Sequence, residues 1–179
     1  GKLWSISVPD GRKKEIRFQA DVSLELGPKV DFVTRVEDGP VSVKQVRNSR
    51  ISPDGSKMAF TAVHKLFVMD LPDGKPKQFV DMEIGQNQPE WSSDSKWLAF
   101  ITWDDADGGH LYKISADGGS PVRLTESRGY YADPVWRPDG SEVIVVRGPW
   151  QQRRDEAGGQ GRDLLRIPAD GGSEIKIAP

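Results

Sequence analysis

The chain has 179 residues, with 25 Lys and Arg against 27 Asp and Glu and a formal charge of −2; this balance offers no general attraction for nucleic acid or an anionic membrane surface. No run approaches the roughly 18 apolar residues of a membrane-spanning helix, and the absence of cysteine excludes disulfides and thiol chemistry while leaving the redox compartment unread. Nineteen glycines and thirteen prolines suit a chain with many tight turns.

Taken in order, Leu3–Phe18 (LWSISVPDGRKKEIRF) reads as two short strands around a Pro-Asp-Gly turn, and residues 1–20 form a half blade. Gly1 is not followed by the charged and apolar regions of a secretory leader, so a mature form or a piece of a longer chain is expected. Residues 21–44 are expected to be a linking excursion, with Val22–Leu26, Val30–Val36 and Val41–Val46 as short strand candidates around Gly27-Pro28 and Asp38-Gly39-Pro40. From there three units follow, at 45–81, 85–126 and 130–178.

Each unit opens on a turn and an apolar run: Ile51–Ala62 (ISPDGSKMAFTA), Trp91–Thr102 (WSSDSKWLAFIT) and Trp136–Arg147 (WRPDGSEVIVVR). A second run closing on glycine comes next, at Leu66–Gly74, Leu111–Gly119 and Leu164–Gly172, and Leu3–Gly11 matches it. Short final segments, Pro76–Val80, Val122–Thr125 and Glu174–Ile177, complete about four strands per unit. The first halves start 40 and 45 residues apart, inside the period of about 40–50 residues of four-stranded propeller blades. The fold class is therefore all-β: a β-propeller of about three complete blades plus a half blade, read as an arc of a larger ring. Ser95 stands where the other two turns have glycine, and it tolerates positive φ less well.

The sequences ISPDG and WRPDG, each leading into a hydrophobic strand and an Asp-Gly type turn, resemble the WD-like repeats of TolB-type propellers over about three-quarters of the chain. A narrower resemblance rests on Phe18–Gly27 (FQADVSLELG), Phe60–Gly74 and Ile101–Leu111 (ITWDDADGGHL) in that order. It is to the propeller region ahead of the catalytic barrel of large bacterial amidohydrolases. This resemblance implies a periplasmic or secreted bacterial protein, and metal-dependent hydrolysis elsewhere in a longer polypeptide.

Asn48, Gln88 and Asp133 align three residues before the bulky position of Ile51, Trp91 and Trp136. A polar residue repeated on the innermost strand of each blade would line the central channel or bind a small ligand or peptide at its mouth. Trp91 and Trp136 are expected to pack between blades, and Trp4, Phe67 and Tyr112, which share one position, to lie in the core. Links between the middle strands differ, at Val63-His64, Trp103–Gly109 and Gly148–Arg162. Such variable links on a repeating scaffold usually make partner contacts. In the long inserted loop 148–162, Trp150, Arg153 and Arg154 are candidate partner-binding residues.

Asp104-Asp105-Ala106-Asp107 lacks the spacing of a Ca²⁺ loop and reads as a solvated turn. His64 and His110 are the only histidines; neither belongs to an H-x-H or H-E-x-x-H pattern, and no Gly-x-Ser-x-Gly elbow is present. No catalytic, metal or cofactor site is therefore assigned to this stretch. The expected partners are other proteins, other domains of the parent chain, or further copies joined through open blade edges.

Overall fold

The computed structural model describes residues 2–25, 27, 39–40, 42–149 and 161–178. The strand candidate Val30–Val36 and the loop residues Trp150, Arg153 and Arg154 lie outside them. By contacts the chain divides into Gly1–Pro40 and Val41–Pro179.

In the first unit β1 (Leu3–Ile6) pairs antiparallel with β2 (Lys13–Ile16), Leu3 opposite Ile16 and Ile6 opposite Lys13. Gly11, at φ 66°, closes the turn by donating its N–H to the Ser7 carbonyl at 2.8 Å. A two-stranded ribbon has no second layer in which to bury a side chain. Trp4 is accordingly 50% exposed, which corrects its expected place in the core. Phe67 and Tyr112, at the matching position in full blades, are half-buried and stack on Phe60 and Phe100 at 5.7 Å.

The second unit holds three four-stranded antiparallel meanders. The first runs β3 (Arg47–Ile51), β4 (Lys57–Ala62), β5 (Lys65–Asp70) and β6 (Lys77–Gln78). The second is β7 (Gly85–Trp91), β8 (Trp97–Trp103), β9 (Leu111–Ser115) and β10 (Val122–Arg123), and the third β11 (Tyr130–Trp136), β12 (Glu142–Gly148), β13 (Asp163–Pro168) and β14 (Ile175–Ala178). In each, strands that follow one another in sequence are neighbours in the sheet. The first strands of successive sheets lie against one another, β3 by β7 and β7 by β11. The fold is all-β, with the four-stranded blades of a TolB-like propeller, and the sheets do not close on one another.

The three turns before the second strands are one structure. The N–H of Gly55, Ser95 and Gly140 donates to the carbonyl of Ser52, Ser92 and Arg137 at 2.8–2.9 Å, with φ of 74°, 60° and 72°. Ser95 thus adopts the left-handed conformation that glycine takes in the other two blades. Asp54 and Asp94 hold their turns by accepting from Ser52 Oγ (2.6 Å) and Ser92 Oγ (2.7 Å). The same bonds, those from the serine hydroxyls first among them, hold both carboxyls below their ordinary pKa.

Two hydrophobic clusters join the blades. Ala59, Leu66, Val68 and Val80 of the first blade meet Trp91, Leu98, Phe100 and Ile114 of the second. Ala99, Ile101, Leu111 and Leu124 of the second meet Trp136, Val143, Val145, Leu165 and Ile167 of the third. The second blade is covered on both faces, which explains the unbroken apolar run Leu98–Ile101 in β8, buried at every position.

Candidate functional site

The pairing of each first strand with its neighbour slips once: between Arg47 and Arg50, between Asn87 and Glu90, and between Ala132 and Val135. These slips are β-bulges, and at each a non-glycine residue takes a left-handed conformation: Asn48 (φ 51°), Gln88 (φ 50°) and Asp133 (φ 54°). Such a conformation costs on the order of 1–3 kcal/mol and persists only where its surroundings impose it. A bulge bends its strand and re-aims the side chain it carries. The residues that follow Gln88 and Asp133 are Pro89 and Pro134, which have no N–H for the interrupted ladder to leave unpaired.

The structure brings Asn48, Gln88 and Asp133 to one hollow of about 210 Å³, lined also by Arg50 and Glu90. The Asp133 N–H donates to Gln88 Oε1 at 2.7 Å, so the side chain of one bulge satisfies the backbone of the next. Arg50 Nε donates to Glu90 Oε2 at 2.8 Å across the same two strands that Trp91 bridges, its indole N–H on the Arg50 carbonyl at 3.1 Å. Trp136 repeats that bond on the Glu90 carbonyl at 3.0 Å.

Beyond these bulges, toward the links of the first two blades, lie two adjoining hollows that share Asn87 and Trp103. One, of about 270 Å³, is lined by His64, Gly85, Asn87, Trp103 and Asp105. The other, of about 190 Å³, includes Gln88, Thr102 and Tyr130. The Trp103 indole N–H donates to Asp105 Oδ1 at 2.7 Å, and its ring meets Tyr130 edge-on at 6.0 Å and 69°. Repeat alignment missed this group because Asn87, Trp103 and Tyr130 have no chemical counterparts in the other blades. The link lengths that differ from blade to blade were its one available signal.

Asp104 spends its Oδ1 on the N–H groups of Ala106 (2.8 Å) and Asp107 (2.9 Å), so this acidic cluster shapes its own turn. His110 closes the loop, 6% exposed, with Nδ1 3.1 Å from Thr125 Oγ1. Burial holds its pKa below the ordinary histidine value; Arg123 pushes the same way, and Asp107 and Glu174 oppose. Among the described residues no group of His, Asp and Glu has the geometry of a metal site.

The architecture defines a segment of a TolB-like propeller. No family model matches the sequence. The chain is 25% identical over 119 residues to the uncharacterized peptidase YuxL of Bacillus subtilis (strain 168), covering 61% of this chain and 18% of that protein. It therefore spans less than a fifth of this curated relative. TolB from Acinetobacter baumannii superposes with a TM-score of 0.56 at 17% identity, over 99% of this chain and 38% of that one. An oligogalacturonate lyase from Vibrio parahaemolyticus gives 0.58 at 18%, over 72% and 39%. A puromycin-hydrolyzing peptidase from Mycobacterium tuberculosis gives 0.56 at 15%, over 75% and 23%. The similar structures are thus TolB-like propellers and propeller-containing peptidases and lyases, alike in fold.

Proposed function

We propose that this segment is a binding and scaffolding module: an arc of a propeller that holds protein partners, or other domains of its parent chain, through its link loops and open blade faces. The observation that carries this reading is a repeating scaffold whose three links differ in length and chemistry while the four-stranded blades between them repeat. Trp150, Arg153 and Arg154 belong to the longest link and are proposed as partner contacts. Asn48, Gln88 and Asp133 are proposed as a channel-mouth site for a small ligand or peptide. Cross-linking of the full parent protein tests the main reading, which expects cross-links from the link loops to a partner or neighbouring domain. Their complete absence would refute it.

Two kinds of attached enzyme have support. The resemblance of Phe18–Gly27, Phe60–Gly74 and Ile101–Leu111 to amidohydrolase propeller regions favours a metal-dependent hydrolase of C–N bonds. The Bacillus relative favours a peptidase. The parent sequence decides: an H-x-H pattern downstream supports the first, a Gly-x-Ser-x-Gly elbow the second.

A further inference from the structure

We propose that the outer face of the third blade docks on the outer face of the first blade in a second copy of this chain, and that this contact, made twice, closes a ring around the channel mouth. The proposal deepens the scaffolding and channel-mouth readings, on which it rests. Both junctions between blades follow one rule. The later blade gives the earlier one an indole N–H: Trp91 donates to the Arg50 carbonyl at 3.1 Å and Trp136 to the Glu90 carbonyl at 3.0 Å. The two acceptors hold the same register, Arg50 opposite Ala59 and Glu90 opposite Ala99.

The two ends of the arc are the two halves of such a junction. In the third blade Val135 stands opposite Ile144, the register of the two acceptors, and Ile144, Val146 and Leu164 are half-buried where their counterparts Ala99, Ile101 and Leu111 are 0–5% exposed. In the first blade Met58 lies opposite Met69 and Phe60 opposite Phe67, which puts four large side chains on one face. Met58 and Met69 are half-buried there, where their counterparts Leu98 and Ile114 are 0% exposed. Ile51, at the tryptophan position, is 62% exposed.

The bulges have the same polarity. Within the chain the Asp133 N–H donates to Gln88 Oε1 at 2.7 Å. Across the new junction one copy would bring the bulge N–H of Asn48 and the other the exposed carboxylate of Asp133, a charged acceptor in place of the neutral amide. Two copies bring six four-stranded sheets, within the roughly four to eight blades of closed propellers. A head-to-tail contact, which propagates where its rotation does not close, therefore stops at two copies. Each copy supplies the other with the bulge residues that complete the channel mouth.

Sedimentation equilibrium of the 179-residue chain tests the proposal. The unsubstituted chain is expected to approach about twice its 19.8 kDa and to grow no further. The double variants Met58→Lys, Met69→Lys and Ile144→Lys, Val146→Lys are each expected to stay monomeric, because docking would bury an ammonium group without a partner. Mixed in equal amounts, they are expected to form a one-to-one dimer, since each keeps the face that the other has lost. Ile51→Trp gives the first blade the indole donor of the other two and is expected to tighten the dimer about tenfold. Circular dichroism is expected to stay that of the unsubstituted chain throughout; if a lysine variant loses its β spectrum, Ile51→Trp decides alone. The proposal falls if the unsubstituted chain stays monomeric or grows beyond a dimer, if either folded lysine variant associates as that chain does, if the mixture of folded variants stays monomeric, or if Ile51→Trp associates no more tightly. Cross-linking of a different partner in the full parent protein is a separate readout, so the scaffolding reading stands or falls independently.

Discussion

Trp136 condenses the logic of the repeat into one side chain: it is 7% exposed, packs among Val143, Val145 and Leu165 of its own blade and Ala99 and Ile101 of the second, and ties its indole to the Glu90 carbonyl. Trp136→Ala is expected to cost about 3–5 kcal/mol in urea unfolding; a loss below about 1 kcal/mol would mean that the ring does not span the blades. The aligned Ile51 is 62% exposed, so Ile51→Ala should stay within about 0.5 kcal/mol. The contrast marks a limit of sequence reading. Alignment found the position in all three blades, but whether it is buried depends on what packs against that blade, which a repeat pattern does not contain. The bulge trio was legible for the opposite reason: Asn48, Gln88 and Asp133 recur at one place, and repetition of a strained residue leaves a polar signature at a fixed spacing.

At the scale of elements, the repeated indole contacts between blades are joined by features that do not repeat. Gly109 and Gly129 form a bridge between the end of the link in the second blade and the start of β11, with N–H to carbonyl distances of 2.8 and 3.2 Å. A Cβ on Gly109 would stand 2.7 Å from the Thr102 carbonyl oxygen and 2.9 Å from that of Gly129. Since both obstacles are backbone, Gly109→Ala is expected to destabilise the junction by about 1–3 kcal/mol, measured as a fall in the chemical-denaturation midpoint. His110, next in sequence, adds a dependence on pH. Its folded pKa is depressed by burial, so the unfolded chain binds the proton more readily than the native one. The contribution of the neutral ring is therefore fully present above the unfolded value of about 6.5 and is lost as pH falls below it toward the folded pKa. His110→Asn should flatten the decline of thermal midpoint as pH falls below about 6.5, a window that opens above the depressed pKa values of Asp54, Asp94, Asp139 and Asp163. An unchanged slope in the variant would show that His110 does not set it.

At the scale of the whole molecule the question is what covers the outer faces of the arc. In the second blade Ala99, Ile101 and Leu111 are 0–5% exposed because the third blade packs on them. The registers Ile101 opposite Leu111 and Val146 opposite Leu164 make Ile144, Val146 and Leu164 their counterparts in the third blade, and these three are only half-buried. The third blade thus presents the surface on which the second receives its neighbour, together with a strand edge able to pair. A further copy of this chain or a further blade of the parent would satisfy it, and the described residues between 19 and 46 contribute no strand that could. The expected behaviour of the isolated chain is self-association. Sedimentation equilibrium at micromolar concentration should give a weight-average mass that rises above 19.8 kDa with concentration, and the double variant Ile144→Lys, Val146→Lys should hold it at the monomer value, because a buried ammonium group without a partner opposes docking. An unsubstituted chain that stays a 19.8 kDa monomer across the range would defeat the open-arc reading and favour a small closed form. A double variant that associates as strongly as the parent would place the contact on another face.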